Sequence, residues 1–318
     1  MQTDVLSIEF RRGVREAFDK GMAGYGGDWY KIYEQIYGGG AYGIMDSDGY
    51  YEELGDIPGI ADAMTQTSRR DPAPYMVAGS PRIFAVEHTM YKAAIAFLYD
   101  IMKNDKIGWH QKIAQSFGEV PMWTRELIGH ELLNRATDAT LTSGFDNKPL
   151  GSSTHVLPNG TVVDNTLAAM GFSEGMLKQV SDYFDKTPTP EGRPRPQRTA
   201  QIRIVTKFSN LDLAEQILTN IQKNVATVDP VAGVATTANQ NPAQTNILQS
   251  RRYTIIGTPY INSATRHICQ GPKHGLFWYN RDAYNDNYTL NNPKGSVEVR
   301  VDEFSTGYAS FYELLVIG

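Results

Sequence analysis

Between Asn104 and Ala139 the chain carries apolar side chains at Ile113, Phe117, Val120, Trp123, Leu127, Ile128, Leu132, Leu133 and Ala136. Steps of three and four residues put these side chains on one face of a helix. A helix of that length runs about 50 Å, more than a compact domain requires, so the rest of the chain has to be arranged along it. Gly118 and Pro121 fall midway. A proline lacks a backbone donor and crowds the preceding turn, which predicts a spine that is kinked or in two pieces.

The 318 residues suffice for one large domain or two moderate ones. A composition of 41% hydrophobic and 20% charged residues is that of a globular protein, and 29 Gly, 16 Pro and 18 Tyr add much turn and extended structure. The net charge of -5 and pI near 5.7 argue against a protein that coats itself in nucleic acid through a basic surface. A single cysteine, Cys269, excludes an intramolecular disulfide and any Cys-rich zinc site; it fits a reducing cytoplasm and reads as a small buried side chain. No run reaches the roughly 20 apolar residues of a membrane span. Met1 to Phe10 has acids where a signal peptide needs a basic and then an apolar run, so a soluble, non-exported chain is expected.

The first fifty residues read as an arm. A short helix, Ser7 to Lys20, precedes Gly24, Gly26, Gly27, Gly38, Gly39 and Gly40, which alternate with Tyr25, Trp29, Tyr30, Tyr33, Tyr37 and Tyr42. Rings of that size need cover, either from a neighbouring molecule or from the chain's own core. After the turn Gly55-Asp56-Ile57-Pro58-Gly59, Arg82 to His88 and Tyr91 to Ile101 read as two strands of a hairpin, which is unstable alone and must be covered.

Beyond the spine, Thr142 to Leu167 is a polar loop with short strands, and Phe172 to Lys186 is a helix capped by Ser173. A proline-rich basic loop follows with Arg193, Arg195 and Arg198. Then come a strand from Gln201 to Thr206, a helix from Leu211 to Gln222 capped by Asn210, and a small-residue loop from Ala226 to Thr245. Arg252 to Gly257, Ala264 to Gln270 and Gly275 to Asn280 read as strands; Val297 to Phe304 and Tyr308 to Ile317 read as a terminal pair. The class is α+β.

Chemistry is sparse. There is no Walker loop, no G-x-G-x-x-G running from strand to helix and no H-E-x-x-H. His130-Glu131 lacks a second histidine four residues after the first, and His267 and His274 flank Cys269 without an evident fourth zinc ligand. Asp46, Asp48, Glu52 and Glu53 match a calcium loop only loosely, and the Arg193 loop suits solvent or an acidic neighbour better than phosphate. No catalytic residue, metal or cofactor is expected.

The order of the segments resembles the major capsid protein of tailed bacteriophages, most closely the Mu-like major head subunit family. Glu53-Leu54-Gly55-Asp56-Ile57-Pro58-Gly59 is similar to that family's turn before its extended loop, and Tyr91 to Lys106 to its return strand. Val120-Pro121, Glu126-Leu127-Ile128 and Leu132-Leu133-Asn134 resemble the second half of its spine helix. Phe145-Asp146-Asn147-Lys148-Pro149-Leu150, Ser153-Thr154-His155 and Asp164-Asn165 are similar to a loop in which Gly precedes Lys-Pro and His-Pro follows; Asn147 and Val156 depart from it. Leu290 to Ile317 looks like the closing strands.

The resemblance implies the tailed-phage capsid fold. Residues 1–53 would be the N-terminal arm and 54–103 the extended β-hairpin loop; 104–164 with 291–318 would form a peripheral domain holding the spine, and 165–290 an axial domain. It implies a homo-oligomer of hexamers and pentamers forming an icosahedral shell, with scaffolding, portal and decoration proteins and packaged double-stranded DNA as partners and no membrane. The virion would be its location after assembly in the host cytoplasm. Expected inter-subunit contacts are Tyr25, Trp29, Tyr33, Tyr37, Arg82, Phe84, Tyr91, Phe97, Arg193 and Arg195. Alternatives are an encapsulin-like compartment and a soluble enzyme using His267 and His274.

Overall fold

The computed structural model describes residues 2–25, 31–40, 43–49, 51–56, 82–98, 108–143, 145–157, 160–167, 171–189, 193, 201–219, 227–228, 235–236, 252–272, 274–291, 296–309 and 315–317. Its helices are α1 (Gln2–Tyr25), α2 (Ile32–Tyr37), α3 (Trp109–Asn134), α4 (Glu174–Lys186) and α5 (Leu211–Thr219). α3 is the predicted spine. It runs unbroken through Gly118 and Pro121, so the two-piece expectation does not hold.

Gly118 has a different reason to be there. A Cβ at Gly118 would collide with the Phe18 carbonyl of α1, and a Cβ at Gly21 of α1 would collide with the Gln115 carbonyl of α3. The two glycines let the helix backbones touch, and Phe18 and Phe117 pack beside the crossing with ring centroids 5.9 Å apart. The N-terminal helix is therefore longer than its predicted Ser7 to Lys20 and is clamped to the spine.

Three strands lead up to and follow an extended ribbon: β1 (Gly43–Asp46), β2 (Tyr51–Asp56) and β3 (Arg82–Glu87), with β4 (Thr89–Leu98) next. The predicted hairpin is corrected here. β3 pairs antiparallel with β2, from Tyr51 opposite Glu87 to Asp56 opposite Arg82, and not with β4. His88 is the bend between them: its Nε2–H reaches Ser47 Oγ at 2.9 Å, and the Ser47 hydroxyl donates to Glu52 at 2.6 Å, so the ribbon base is fastened to the loop after β1. The strands were legible, but their partners were not.

Short antiparallel pairs occupy the polar region: β5 (Thr142–Ser143) with β6 (Lys148–Pro149), and β7 (His155–Val156) with β8 (Val162–Val163). Asn147 sits at the β5–β6 turn with φ 53, in the left-handed region that glycine and then asparagine tolerate best. This is why asparagine serves at the position where the resembling loop has glycine.

The larger sheets use β9 (Gln201–Lys207), β12 (Arg252–Thr258), β13 (Ile268–Gln270), β14 (Leu276–Asn291), β15 (Ser296–Ala309) and β16 (Leu315–Ile317); β10 (Thr227–Val228) and β11 (Ala235–Thr236) form a two-stranded pair. One sheet has the order β1-β14-β15-β4 and the other β12-β9-β13-β16. The predicted terminal pair is corrected as well: β15 lies between β14 and β4, while β16 pairs with β13.

β9 and β12 are parallel, joined by a crossover that includes α5. On one face of their sheet, Ile202, Ile204 and Cys269 pack with Met176, Leu177, Val180 and Phe184 of α4 and Ala214 of α5. Ser173 caps α4 as expected, accepting the Met176 N–H at 3.2 Å. Asn210 precedes α5, and its amide donates to Thr206 Oγ1 and the Ala264 carbonyl. Val205, Ile256, Ile268 and Ile317 belong to a second apolar cluster with Leu132, Leu133, Trp278, Tyr33 and Tyr37, where α2 and α3 meet both sheets.

Candidate functional site

α3 presents two unlike faces. Its buried side carries His110, Ala114, Gly118, Arg125, Glu126, Gly129 and His130 beside Leu132 and Leu133. Glu126, fully buried, accepts the Tyr33 N–H at 3.1 Å and so holds the first turn of α2. Burial raises its carboxyl to about 7, against the lowering effect of the Tyr33 and Ile32 N–H groups, and the Glu34 charge adds to the rise. His130 donates Nδ1–H to the Glu126 carbonyl at 2.6 Å, and its Nε2 lies 3.0 Å from Thr258 Oγ1, which itself accepts the Tyr260 N–H. Burial lowers this imidazole to about 4, opposed by that bond to Glu126. One polar chain thus ties α2 through the spine to the end of β12.

Tyr33 and Tyr37 belong to this buried side. The Tyr37 hydroxyl donates to the Gly129 carbonyl at 2.7 Å, and both rings pack against Trp278, at 5.1 and 5.5 Å. Burial, then the Glu126 charge, push the Tyr37 phenol far up. With 2% and 0% exposure these two rings are covered by their own chain, which leaves a neighbouring copy little of them to touch. Phe97 is likewise covered by its own chain, buried with Val14, Ala17 and Ala114, its ring 5.7 Å from His110.

Other expected contacts have different positions. Arg82 lays its guanidinium 4.9 Å from the centre of the Phe145 ring. Tyr91 is half-buried and lines a groove of about 210 Å3 with Ala93, Phe117, Val120, Pro121 and Thr124. Arg193 is exposed, its N–H on Thr189 Oγ1 at 3.2 Å. Trp29, Arg195 and the side chains of Tyr25 and Phe84 lie outside the described residues.

Most of the apolar repeat along the spine is covered: Ile113, Phe117 and Ile128 pack against core clusters, and Leu132, Leu133 and Ala136 are buried, but the repeat does not stay inside throughout. Trp123 is 47% and Leu127 42% exposed, and on the ribbon Tyr51 and Ile83 reach 62% and 69%. The apolar repeat is therefore largely an internal face from which Trp123 and Leu127 stand out, and the small-residue spacing Ala114, Gly118, Gly129 marks where the neighbouring helices come closest.

The histidines among the described residues are engaged in packing and hydrogen bonds of the fold. Among the described residues no three His, Cys, Asp or Glu side chains come close enough to hold a metal ion. His267 Nδ1 meets Thr206 Oγ1 at 3.0 Å, and its ring is edge-on to Phe172; burial pushes the Cys269 thiol up, away from the reactive thiolate. Gly171-Phe172-Ser173-Glu174-Gly175 has the spelling G-x-S-x-G, but Ser173 is in relaxed extended backbone (φ -158, ψ 164) with its hydroxyl engaged in the cap, unlike the strained turn of a nucleophile elbow. Gly38, Gly40 and Gly43 spell G-x-G-x-x-G in the reverse setting, after a helix and before a strand. His155, buried, meets Asp146 at 2.7 Å and the Leu150 carbonyl at 3.2 Å, and with Asn165 it stitches the loop around β6 and β7.

No protein-family model matches the chain, and no curated protein does. Solved structures do. The asymmetric unit of the mature capsid of bacteriophage PhiM1 matches with a TM-score of 0.54 at 11% identity, covering 88% of this chain and 85% of that one. The capsid of an empty GTA particle matches at 0.51 and 8% identity, covering 90% and 89%. A structure from Mycobacterium phage Patience matches at 0.51 and 10%, covering 91% and 84%. The chain has the major capsid fold of tailed phages, an α+β architecture built along a spine helix, as the order of its segments led us to expect.

Proposed function

We propose that this chain is the subunit of an icosahedral head shell that encloses a phage genome, and that its work is contact with copies of itself rather than catalysis. The observation that carries the reading is the apolar surface a lone chain leaves open on this fold: Tyr51 and Ile83 on the ribbon, Trp123 and Leu127 on the spine. A two-stranded ribbon is marginal by itself, and copies laid across one another would cover it.

In this reading residues 1–53 form the arm, 54–103 the extended loop, 104–164 with 291–318 the peripheral domain and 165–290 the axial domain. The ribbon of the extended loop is β3 paired with β2, which straddles the boundary with the arm, and β4, inside the loop's bounds, reaches across to pair with β15. Hexamers and pentamers form the shell, assembled in the host cytoplasm with scaffolding, portal and decoration proteins, and the virion is where it resides. The net charge of -5 suits a lining that contacts double-stranded DNA without sequence preference and without gripping it.

Expression of the full chain, alone and with a scaffolding partner, followed by negative-stain imaging, tests this. Closed shells are expected. Monomers or dimers alone under every condition would overturn the reading, and shells filled with a protein cargo would favour an encapsulin-like compartment.

A further inference from the structure

A cavity of about 150 Å3 opens between the turn after α2 and the second sheet, bounded by Gly39, Gln201, Arg203, Gln270, Gly271 and Pro272. Three polar groups around it lack their complement. Gln270 is fully buried and its Nε2 donates to the Ile36 carbonyl at 3.3 Å. A carbonyl only accepts, so the amide orientation is fixed and Oε1 is left as an acceptor with no partner among the described residues.

His274 is also fully buried. Its Nδ1 accepts the Leu276 N–H at 3.3 Å, which places the proton of the neutral ring on Nε2, a donor that meets no acceptor there either. Burial, and then the Arg203 charge, lower this imidazole to about 3, so the neutral ring is the working state. Arg203 itself donates to the Gln35 carbonyl at 3.3 Å and has no carboxylate partner among the described residues.

The three groups converge. A Cβ on Gly39 would run into Arg203 Nη1 and come 3.4 Å from His274 Nε2, so glycine leaves room for the guanidinium beside the imidazole. Gln270 stands opposite Arg203 across the β9–β13 pair. Water would satisfy the donor and the acceptor, whereas an anion would do so and pair with the partly exposed arginine as well.

We propose that this cavity binds a small oxyanion of the phosphate class that retains a proton. Arg203 supplies the charge, His274 Nε2–H donates to one oxygen, and Gln270 Oε1 accepts from the P–O–H group. Sulfate has the same shape but no proton at neutral pH, and it would set lone pairs against Gln270 Oε1, so the site discriminates between the two ions. The proposal does not depend on the shell reading.

Calorimetric titration of the full chain with inorganic phosphate and with sulfate, at matched ionic strength in a chloride buffer, tests it. Saturable phosphate binding is expected, about tenfold tighter than sulfate, the factor given by one mismatched hydrogen bond. Arg203→Met should weaken phosphate by about tenfold or more, and Gln270→Leu should bring the two ions to equal affinity. A nucleoside monophosphate, whose phosphate has lost its last proton at neutral pH, should compete no better than sulfate, and strong competition by it would overturn the role given to Gln270. No saturable phosphate binding, or equal affinity for phosphate and sulfate in the unaltered chain, would overturn the proposal without recourse to any variant.

Discussion

The inner and outer faces of α3 are coded against intuition. The inner face holds a carboxylate, two imidazoles, a guanidinium and glycines among Ala114, Met122, Leu132 and Leu133; the outer face holds Trp109, Trp123 and Leu127, all more than 40% exposed. Inside, backbones approach across small residues and polar groups find fixed partners. Outside, large apolar surface is left for something else to cover. Hydrophobic periodicity registers burial of either kind, within a chain or between chains, and does not say which.

The difference between the faces can be broken from the inside first. Gly118→Val forces a branched side chain into the Phe18 carbonyl, and the loss in unfolding free energy is expected to be about 3 kcal/mol, the upper end of the overpacking range. Chemical denaturation of the unassembled subunit measures it, and an unchanged midpoint would mean that α1 does not set the inner face.

Next is Glu126. Its pKa is raised from 4.5 to about 7, so the folded state binds the proton more tightly, and this contribution is complete below pH 4.5 and lost as pH rises through 7. His130, lowered from 6.5 to about 4, runs the other way and loses its contribution as pH falls through 4. Glu126→Gln keeps an acceptor for the Tyr33 N–H but has no proton to lose. Relative to the unaltered chain it should therefore gain about 3 kcal/mol between pH 4.5 and pH values well above 7. Denaturation curves at several pH values check this; a constant offset would show that the charge is not what the inner face holds in check.

On the outer face Leu127→Asp, which an internal placement would make disruptive, is expected to change folding stability by less than about 0.5 kcal/mol while abolishing shells. Denaturation and imaging of the same sample separate the two effects. Asn147→Gly is the control off the helix. At φ 53 glycine is at ease, and a shift of only a few tenths of a kcal/mol is expected from the same melt.

Local signals carried well. Ser173 before an amphipathic run gave α4 and its cap, and the β-branched runs of β9 and β12 were found within a residue of their ends. Pairing did not carry, because it is decided by residues far away. β3 and β4 are separated by one residue yet join different sheets, β4 matching β15 from Leu98 opposite Ser296 to Thr89 opposite Ser305. The polar chain from α2 through Glu126 and His130 to Thr258 escaped notice for a related reason: each member looks like an ordinary surface residue until the fold buries it. The phosphate-class cavity likewise joins Gly39, Arg203, Gln270 and His274, which no local window contains.

The position of β15 has a consequence in time. On the ribosome, β4 leaves the exit tunnel about two hundred residues before its partner strand exists, a delay of roughly 10 to 40 seconds at ordinary rates of synthesis. For that interval it is a ten-residue strand with both edges unpaired, the kind of segment that recruits stray chains. Its one charge, Lys92, stands exposed near the middle, where a single ammonium group is enough to make a stranger's strand a poor fit.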